Sequence, residues 1–376
     1  MPNIPTDSCD ATTITREGRS FLSFGGCNYL GLAHHPRVIR AVQEAATIYG
    51  LSSSASRETT GNARPHAQLE SELTEFCDHQ AGLLVPDGYT ANLAALQGLE
   101  HLGVRHALID MRAHASLKDA ARLAGLKIEY FEHLNPTEAE RRIRTLDAPC
   151  VILTDSVFTT DGDLAPASEL LQTLRDDDWL LLDDCHGFAV LGSQGRGMPD
   201  AIGLKSDRFI VTTTLAKGLG CAGGIVMGPS DPVESARSHS IAYRCTTPAS
   251  PALVSGGLEA LRILREDPDI HDRLAEAITS TRAALRANGI QTHDHDSAIF
   301  AFIIGDLEHM RRIEAELYDR GIILPLMDYP NGPAPMYFRM SVNASHTQEQ
   351  IERFRENLRE VLANSNIREA QPHEHA

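Results

Sequence analysis

The sequence predicts an α/β protein, with a large domain on a mostly parallel sheet and a smaller α+β domain after it. Short apolar runs alternate with amphipathic ones through the first two thirds of the chain. Several of those runs are apolar throughout, as strands buried on both faces must be. After about residue 250 the alternation gives way to long helical stretches and a few strands. A chain of 376 residues is also too long for one small core. Read in chain order, residues 1–40 form an N-terminal segment, 41–255 the large domain and 256–376 the small one.

The expected strands of the large domain are GLLV (82–85), HALID (106–110), CVILTD (150–155), WLLLDD (179–184), RFIVTTT (208–214) and GIVMG (224–228). Helical patterns lie between most of them. From His66 to His79 the spacing puts Leu69, Leu73 and Phe76 on one face, and Ala91–Leu99 and Ala167–Leu174 behave alike. Strand and helix in alternation argue for a parallel sheet. Further on, a helical stretch from Leu253 to Arg286 is broken near Pro268. The strand AIFAFIIG (298–305), a helix at 307–320, IILPL and MYFRMSV (336–342) follow. Thr347 and Gln350 fit a capping box that starts a last helix. The tail from about Asn364, with its two histidines, is polar and reads as frayed.

Composition removes several function classes. Acidic residues number 51 against 34 basic ones, a formal net charge of −17. A nucleic-acid binder shows a basic face, so no nucleic-acid partner is expected. The seven cysteines fall at irregular spacing without a CxxC pair, which reads as free thiols in a reducing compartment. The N-terminus lacks an apolar signal-peptide core and no run is long enough to span a bilayer. The expectation is a cytoplasmic protein with no membrane partner.

The stretch FIVTTTLAKGLGCAGG (209–224) sets Lys217 among small residues. GLGCAG within it matches GxGxxG, but a dinucleotide turn needs a helix after it, and the next run, GGIVMGP, reads as a strand. DDCH (183–186) ends the strand WLLL, and ligands in open α/β sheets bind at the carboxyl ends of strands. Asp183 and Asp184 equally suit turn capping, and with His186 they suggest a metal site that lacks further ligands. AHASL places His114 beyond another strand end. In PDGYTAN, Gly88 and the helix start after it would turn backbone N–H groups toward a phosphate. Arg339 stands on an otherwise apolar strand, where it needs a carboxylate or an exposed end. A phosphate cradle, a lysine, an aspartate, two histidines and an arginine are the inventory for pyridoxal phosphate.

At this point the chain resembles the α-oxoamine synthases, which have the pyridoxal-phosphate-dependent transferase fold type I. The resemblance runs from about Gly25 to His346. It rests on CNYLGLAHHP, SASRETTGNARPHAQLESEL, DGYTAN, AHASL, TDSVFTTDGDLAP, LLDDCHGFAVLGSQGRG, TTTLAKGLG, CTTPASPA and FRMSVNASHT, in order and at family spacing. It implies that Lys217 is the Schiff-base lysine and proton-transfer base, and that Asp183 binds the pyridine nitrogen. His186, with Thr159, would bond the ring's phenolic oxygen, and His114 would stack on the ring. The backbone of Gly88 and Tyr89 and the hydroxyl of Thr214 would hold the phosphate. Thr246 would reach it from the neighbouring subunit of a homodimer. Arg339 would clamp the amino-acid carboxylate, with Asn28 beside the substrate. Asp87 stands where the family usually has serine.

The implied reaction is a decarboxylating condensation of an amino acid with an acyl-CoA or acyl carrier protein thioester. The favoured pair is L-alanine and a pimeloyl thioester, as in biotin synthesis. Glycine with an acetyl donor, or a secondary-metabolite variant, is the alternative. A non-catalytic partner subunit on this fold would lack Lys217, and a metal-dependent hydrolase would need more ligands than DDCH supplies.

Overall fold

The structure, a computed structural model, describes residues 4–364. The two tail histidines, His373 and His375, lie outside the described residues. By contact the chain divides at Gly31/Leu32 and at Pro268/Asp269. One unit runs from Leu32 to Pro268, apart from Thr160–Asp163. The other takes the chain before Leu32, that short segment, and the chain from Asp269 onward.

The larger unit holds a seven-stranded sheet. In spatial order its strands are Ala81–Val85, Gly224–Gly228, Phe209–Thr214, Trp179–Asp183, Cys150–Asp155, His106–Asp110 and Lys127–Phe131. All neighbours are parallel except Gly224–Gly228, which is antiparallel to both of its partners. The six expected strands are present within a residue at each end. Lys127–Phe131 is an additional edge strand, and its partly exposed residues hid it from a search for apolar runs.

The core follows from strand alternation. Val151 and Leu153, Leu181, Ile210 and Val226 bury alternate side chains in one core that includes the alanines of the helix Gly88–His101. Small residues let that helix come close. A Cβ on Gly98 would stand 2.6 Å from the backbone nitrogen of Ala236 on the helix Ser230–His239. Burial of this area, at about 25 cal/mol per Å² of apolar surface, supplies most of the unit's stability.

The smaller unit carries two sheets. Ser8–Cys9, Thr13–Arg16 and Arg19–Ser23 form an antiparallel meander joined in parallel by Ile322–Ile323. Ile299–Phe302, Tyr337–Ser341 and Leu326–Met327 form the second, antiparallel sheet. The helix Gln348–Asn364 packs on Asp269–Ala287 and on Leu307–Asp319. The expected capping box is formed: Gln350 N–H donates to Thr347 Oγ1 at 3.2 Å, and Thr347 N–H to Gln350 Oε1 at 3.0 Å. Among the described residues, no helix is long and apolar enough to cross a membrane.

Candidate active site

The glycines around Lys217 have a packing cause. Phe209–Thr214 and Gly224–Gly228 pair antiparallel, and the loop between them is closed by Leu215 N–H to Gly223 O and Cys221 N–H to Leu215 O, both 2.9 Å. A Cβ on Gly218 would meet Phe188 O at 2.8 Å, and one on Gly224 would meet Asp87 O at 2.2 Å. Gly220 has φ +65° and lies against the backbone of Ala33. The loop is thus pressed between three backbone segments, and no helix follows GLGCAG, so a dinucleotide turn is absent. Half-buried Lys217 leaves this loop with Nζ 2.7 Å from Nε2 of His186, which is buried.

Asp183 and Asp184 part company at the end of their strand. The Asp184 carboxylate accepts from Ser156 Oγ and from Met198 N–H, and Cβ atoms on Gly187 or Gly197 would strike it. Burial pushes its carboxyl up to about 7. Asp183, 3% exposed, accepts instead from Asn92 Nδ2 at 2.7 Å and from Cys185 N–H at 3.1 Å. Asp183 does cap the turn as DDCH suggested, its Oδ1 taking the N–H two residues on, whereas the Asp184 side chain is used on Ser156 and Met198. Among the described residues, no group of three His, Cys, Asp or Glu is placed to hold a metal ion.

Asn92 ties Asp183 to His114. Its amide also donates to Ser116 Oγ at 2.9 Å, and its oxygen accepts from Thr212 Oγ1 at 2.5 Å. Ser116 Oγ lies 2.7 Å from His114 Nδ1, and Ser116 N–H donates to the same nitrogen at 3.3 Å. A backbone N–H only donates, so Nδ1 accepts and the ring proton sits on Nε2. Burial lowers the His114 pKa, which favours this neutral form. His114 also caps the helix Ala115–Leu123, and its own N–H donates to Asp155 Oδ2 at 2.8 Å.

Gly88 opens the helix Gly88–His101, and Asp87 is its N-cap. A Cβ on Gly88 would stand 3.0 Å from Thr214 Cβ and 3.1 Å from Cys185 Sγ. Asp87 Oδ1 accepts from Thr90 N–H at 2.7 Å and Asp87 O from Ala91 N–H, so the cap leaves the N–H groups of Gly88 and Tyr89. The Tyr89 hydroxyl donates to Asp119. Thr214 Oγ1 donates to Gly223 O at 3.3 Å. Thr159 is half-buried beyond Asp155, and Thr246 is half-buried after the helix Ile241–Arg244. In the smaller unit Arg339 is 7% exposed, with Nη2 3.8 Å from Cys27 Sγ, and Asn28 O accepts from Gly31 N–H.

The structure therefore joins Lys217 to His186, joins Asp183 to His114, and sets Gly88 against Thr214. Asn92, Ser116 and Asp155 complete the network and were not singled out from the sequence. Asp155 had a readable signal, because it ends an apolar strand as Asp183 does.

The family model described as aminotransferase class I and II matches residues 19–358. The chain belongs to this family. Its similarity to the 8-amino-7-oxononanoate synthase of Nitrosomonas eutropha is 36% identity, over 90% of this chain and 89% of that one. The enzyme of the same name from Stutzerimonas stutzeri is 33% identical over 93% and 90%. The serine palmitoyltransferase of S. paucimobilis, solved with bound PLP and myriocin, superposes with TM-score 0.90 at 25% identity, over 96% of this chain and 92% of that one. The aminotransferase class I and II fold here is thus the PLP-dependent fold type I. The site suits that cofactor. The buried Asp183 carboxylate, with two donors, would suit a cationic ring nitrogen, and the cradle at Gly88 would be filled by a single Cβ.

Proposed function

We propose that this chain is a PLP-dependent α-oxoamine synthase that condenses L-alanine with a pimeloyl thioester, losing carbon dioxide, as its 8-amino-7-oxononanoate synthase relatives are named for. The observation that carries it is Lys217 at 2.7 Å from His186, on a loop whose glycines bring it beside Asp183's strand end. When bound, the cofactor supplies an electron sink that lowers the barrier to loss of the substrate's Cα proton. Asp183 holds the ring nitrogen in its protonated form, and Asn92 holds Asp183. His186, with Thr159, bonds the phenolic oxygen. His114 would stack on the ring. The N–H groups of Gly88 and Tyr89 hold the phosphate with the Thr214 hydroxyl, and Thr246 adds to it from the second subunit of a cytoplasmic homodimer.

Lys217 would hold the cofactor through Nζ, and the same amine would move the substrate's Cα proton. Arg339 orients the amino-acid carboxylate beside Asn28, which fixes the bond to be broken relative to the ring. The acyl donor is pimeloyl-CoA or the pimeloyl carrier protein.

The test is the absorption spectrum of the purified protein and of Lys217→Ala, each with L-alanine, glycine and L-serine added in turn. A visible cofactor band, lost in the variant and shifted by alanine alone, is expected. A shift with glycine alone points to the acetyl-transferring alternative. No band after adding pyridoxal phosphate refutes the catalytic reading.

A further inference from the structure

Two carboxylates stand side by side at the ends of adjacent strands. Asp155 and Asp183 are register partners on adjacent parallel strands, so their side chains share a face, and each is 3% exposed. Two carboxylates in one dry site do not both ionise readily, and the proton goes to the one with fewer donors. Among the described residues the Asp183 carboxylate accepts from Asn92 and from Cys185 N–H, whereas the Asp155 carboxylate accepts from the N–H of His114, at 2.8 Å.

We propose that Asp155 is the proton-bearing, neutral partner of Asp183 and the positioning residue that fixes His114, so that the pair's charge is concentrated on Asp183. The role rests on the PLP reading given above. The groups facing Asp155 are Asp183 and Asp110 from neighbouring strands, Cys185 just beyond Asp183, His114 and Lys118 from the capped helix, and Lys217 from its loop. Burial, then the charge of Asp183, pushes the Asp155 carboxyl well above the ordinary range, against the pull of the His114 N–H and Lys217. A neutral Asp155 has a functional consequence. It lets Asp183 pair with a protonated ring nitrogen without a second buried anion beside it.

Asp155→Asn keeps the shape and an acceptor oxygen but has no ionisable proton, while Asp155→Ala removes the acceptor. Thermal stability of the apo proteins is followed against pH, and pyridoxal phosphate is titrated into each. A buried acid kept neutral contributes stability below its unfolded pKa and loses it as pH rises. The Asn variant therefore gains on the wild type from about pH 4 upward. It retains cofactor affinity, and the Ala variant loses it by about tenfold, the scale of one buried hydrogen-bond acceptor. Parallel pH curves for wild type and Asp155→Asn overturn the proposal, because Asp155 is then ionised. An Asn variant that fails to fold, or binds as poorly as the Ala variant, overturns it as well. A missing cofactor band in wild-type protein refutes only the PLP reading, since the pH measurement uses apo protein.

Discussion

Lys217 Nζ lies 2.7 Å from His186 Nε2, across a strand end and 31 positions apart in the chain. Which of the two nitrogens donates depends on the imidazole tautomer. The pair holds the lysine in one place before any substrate arrives. Lys217→Ala should abolish the visible cofactor band and lower kcat by about 10³-fold or more, the scale of a lost proton-transfer group. His186→Ala should keep the band but shift its pH dependence, because the lysine loses its neighbour. Spectrophotometric pH titration of the three proteins separates these outcomes.

Asp87 is an N-cap carboxylate at the helix end that would hold the phosphate. Anions at a helix N-terminus are favourable singly but repel each other. Asp87→Ser or Asp87→Asn keeps the cap and removes the charge, so cofactor affinity should rise by about two- to fivefold, the equivalent of roughly 0.3–1 kcal/mol at a helix terminus. Fluorescence titration of apo protein with pyridoxal phosphate checks this. Weaker binding in both variants would mean that the carboxylate is turned from the anion.

The sheet was legible because its central strands are apolar on both faces. The edge strand Lys127–Phe131 was not, since solvent on one side leaves its residues mixed. The N-terminal hairpin was missed for a different reason. Its turn uses Glu17 at φ 49° and Gly18 at φ 72°, a positive-φ pair that sequence signals associate with Asn-Gly or Asp-Gly. In the site, Lys217, Asp183, His114 and His186 stood out at strand ends. Asn92 did not, because its meaning lies in a hydrogen bond to Asp183, 91 positions away. DDCH shows the limit of a local motif: one aspartate accepts from Asn92 and Cys185 N–H, and its neighbour is spent on Ser156 and Met198.

Asp184 makes a pH prediction. Its folded carboxyl is pushed up to about 7 by burial, above the ordinary value near 4. The unfolded chain therefore releases the proton first, and this residue's contribution to stability falls as pH rises from about 4 to about 7. Asp184→Asn should gain Tm relative to wild type across that window, then hold a constant difference above it. Calorimetry from pH 4.5 to 8, at about half-unit steps, measures the difference. A difference that does not change with pH would mean that Asp184 is ionised throughout.

Gly224 and Gly88 separate a fold requirement from a cofactor requirement. A Cβ on Gly224 would lie 2.2 Å from Asp87 O, a backbone atom that cannot rotate away. On Gly88 the nearest atoms are Thr214 Cβ at 3.0 Å, which moves only with its backbone, and Cys185 Sγ at 3.1 Å, which can turn about χ1, both farther off than the contact at Gly224. Overpacking of a tight site costs about 1–3 kcal/mol. Gly224→Ala should fall at the upper end of that range or beyond, because the strand must move away from the helix start. Gly88→Ala should fall at the lower end in the apo protein. Its larger effect should appear as weaker binding of pyridoxal phosphate and of inorganic phosphate, since the added methyl narrows the cradle in front of the helix N-terminus. Denaturant unfolding of both apo variants, paired with ligand titration, tests the division. Equal losses of stability with unchanged phosphate affinity in Gly88→Ala would show that the close approach serves packing alone.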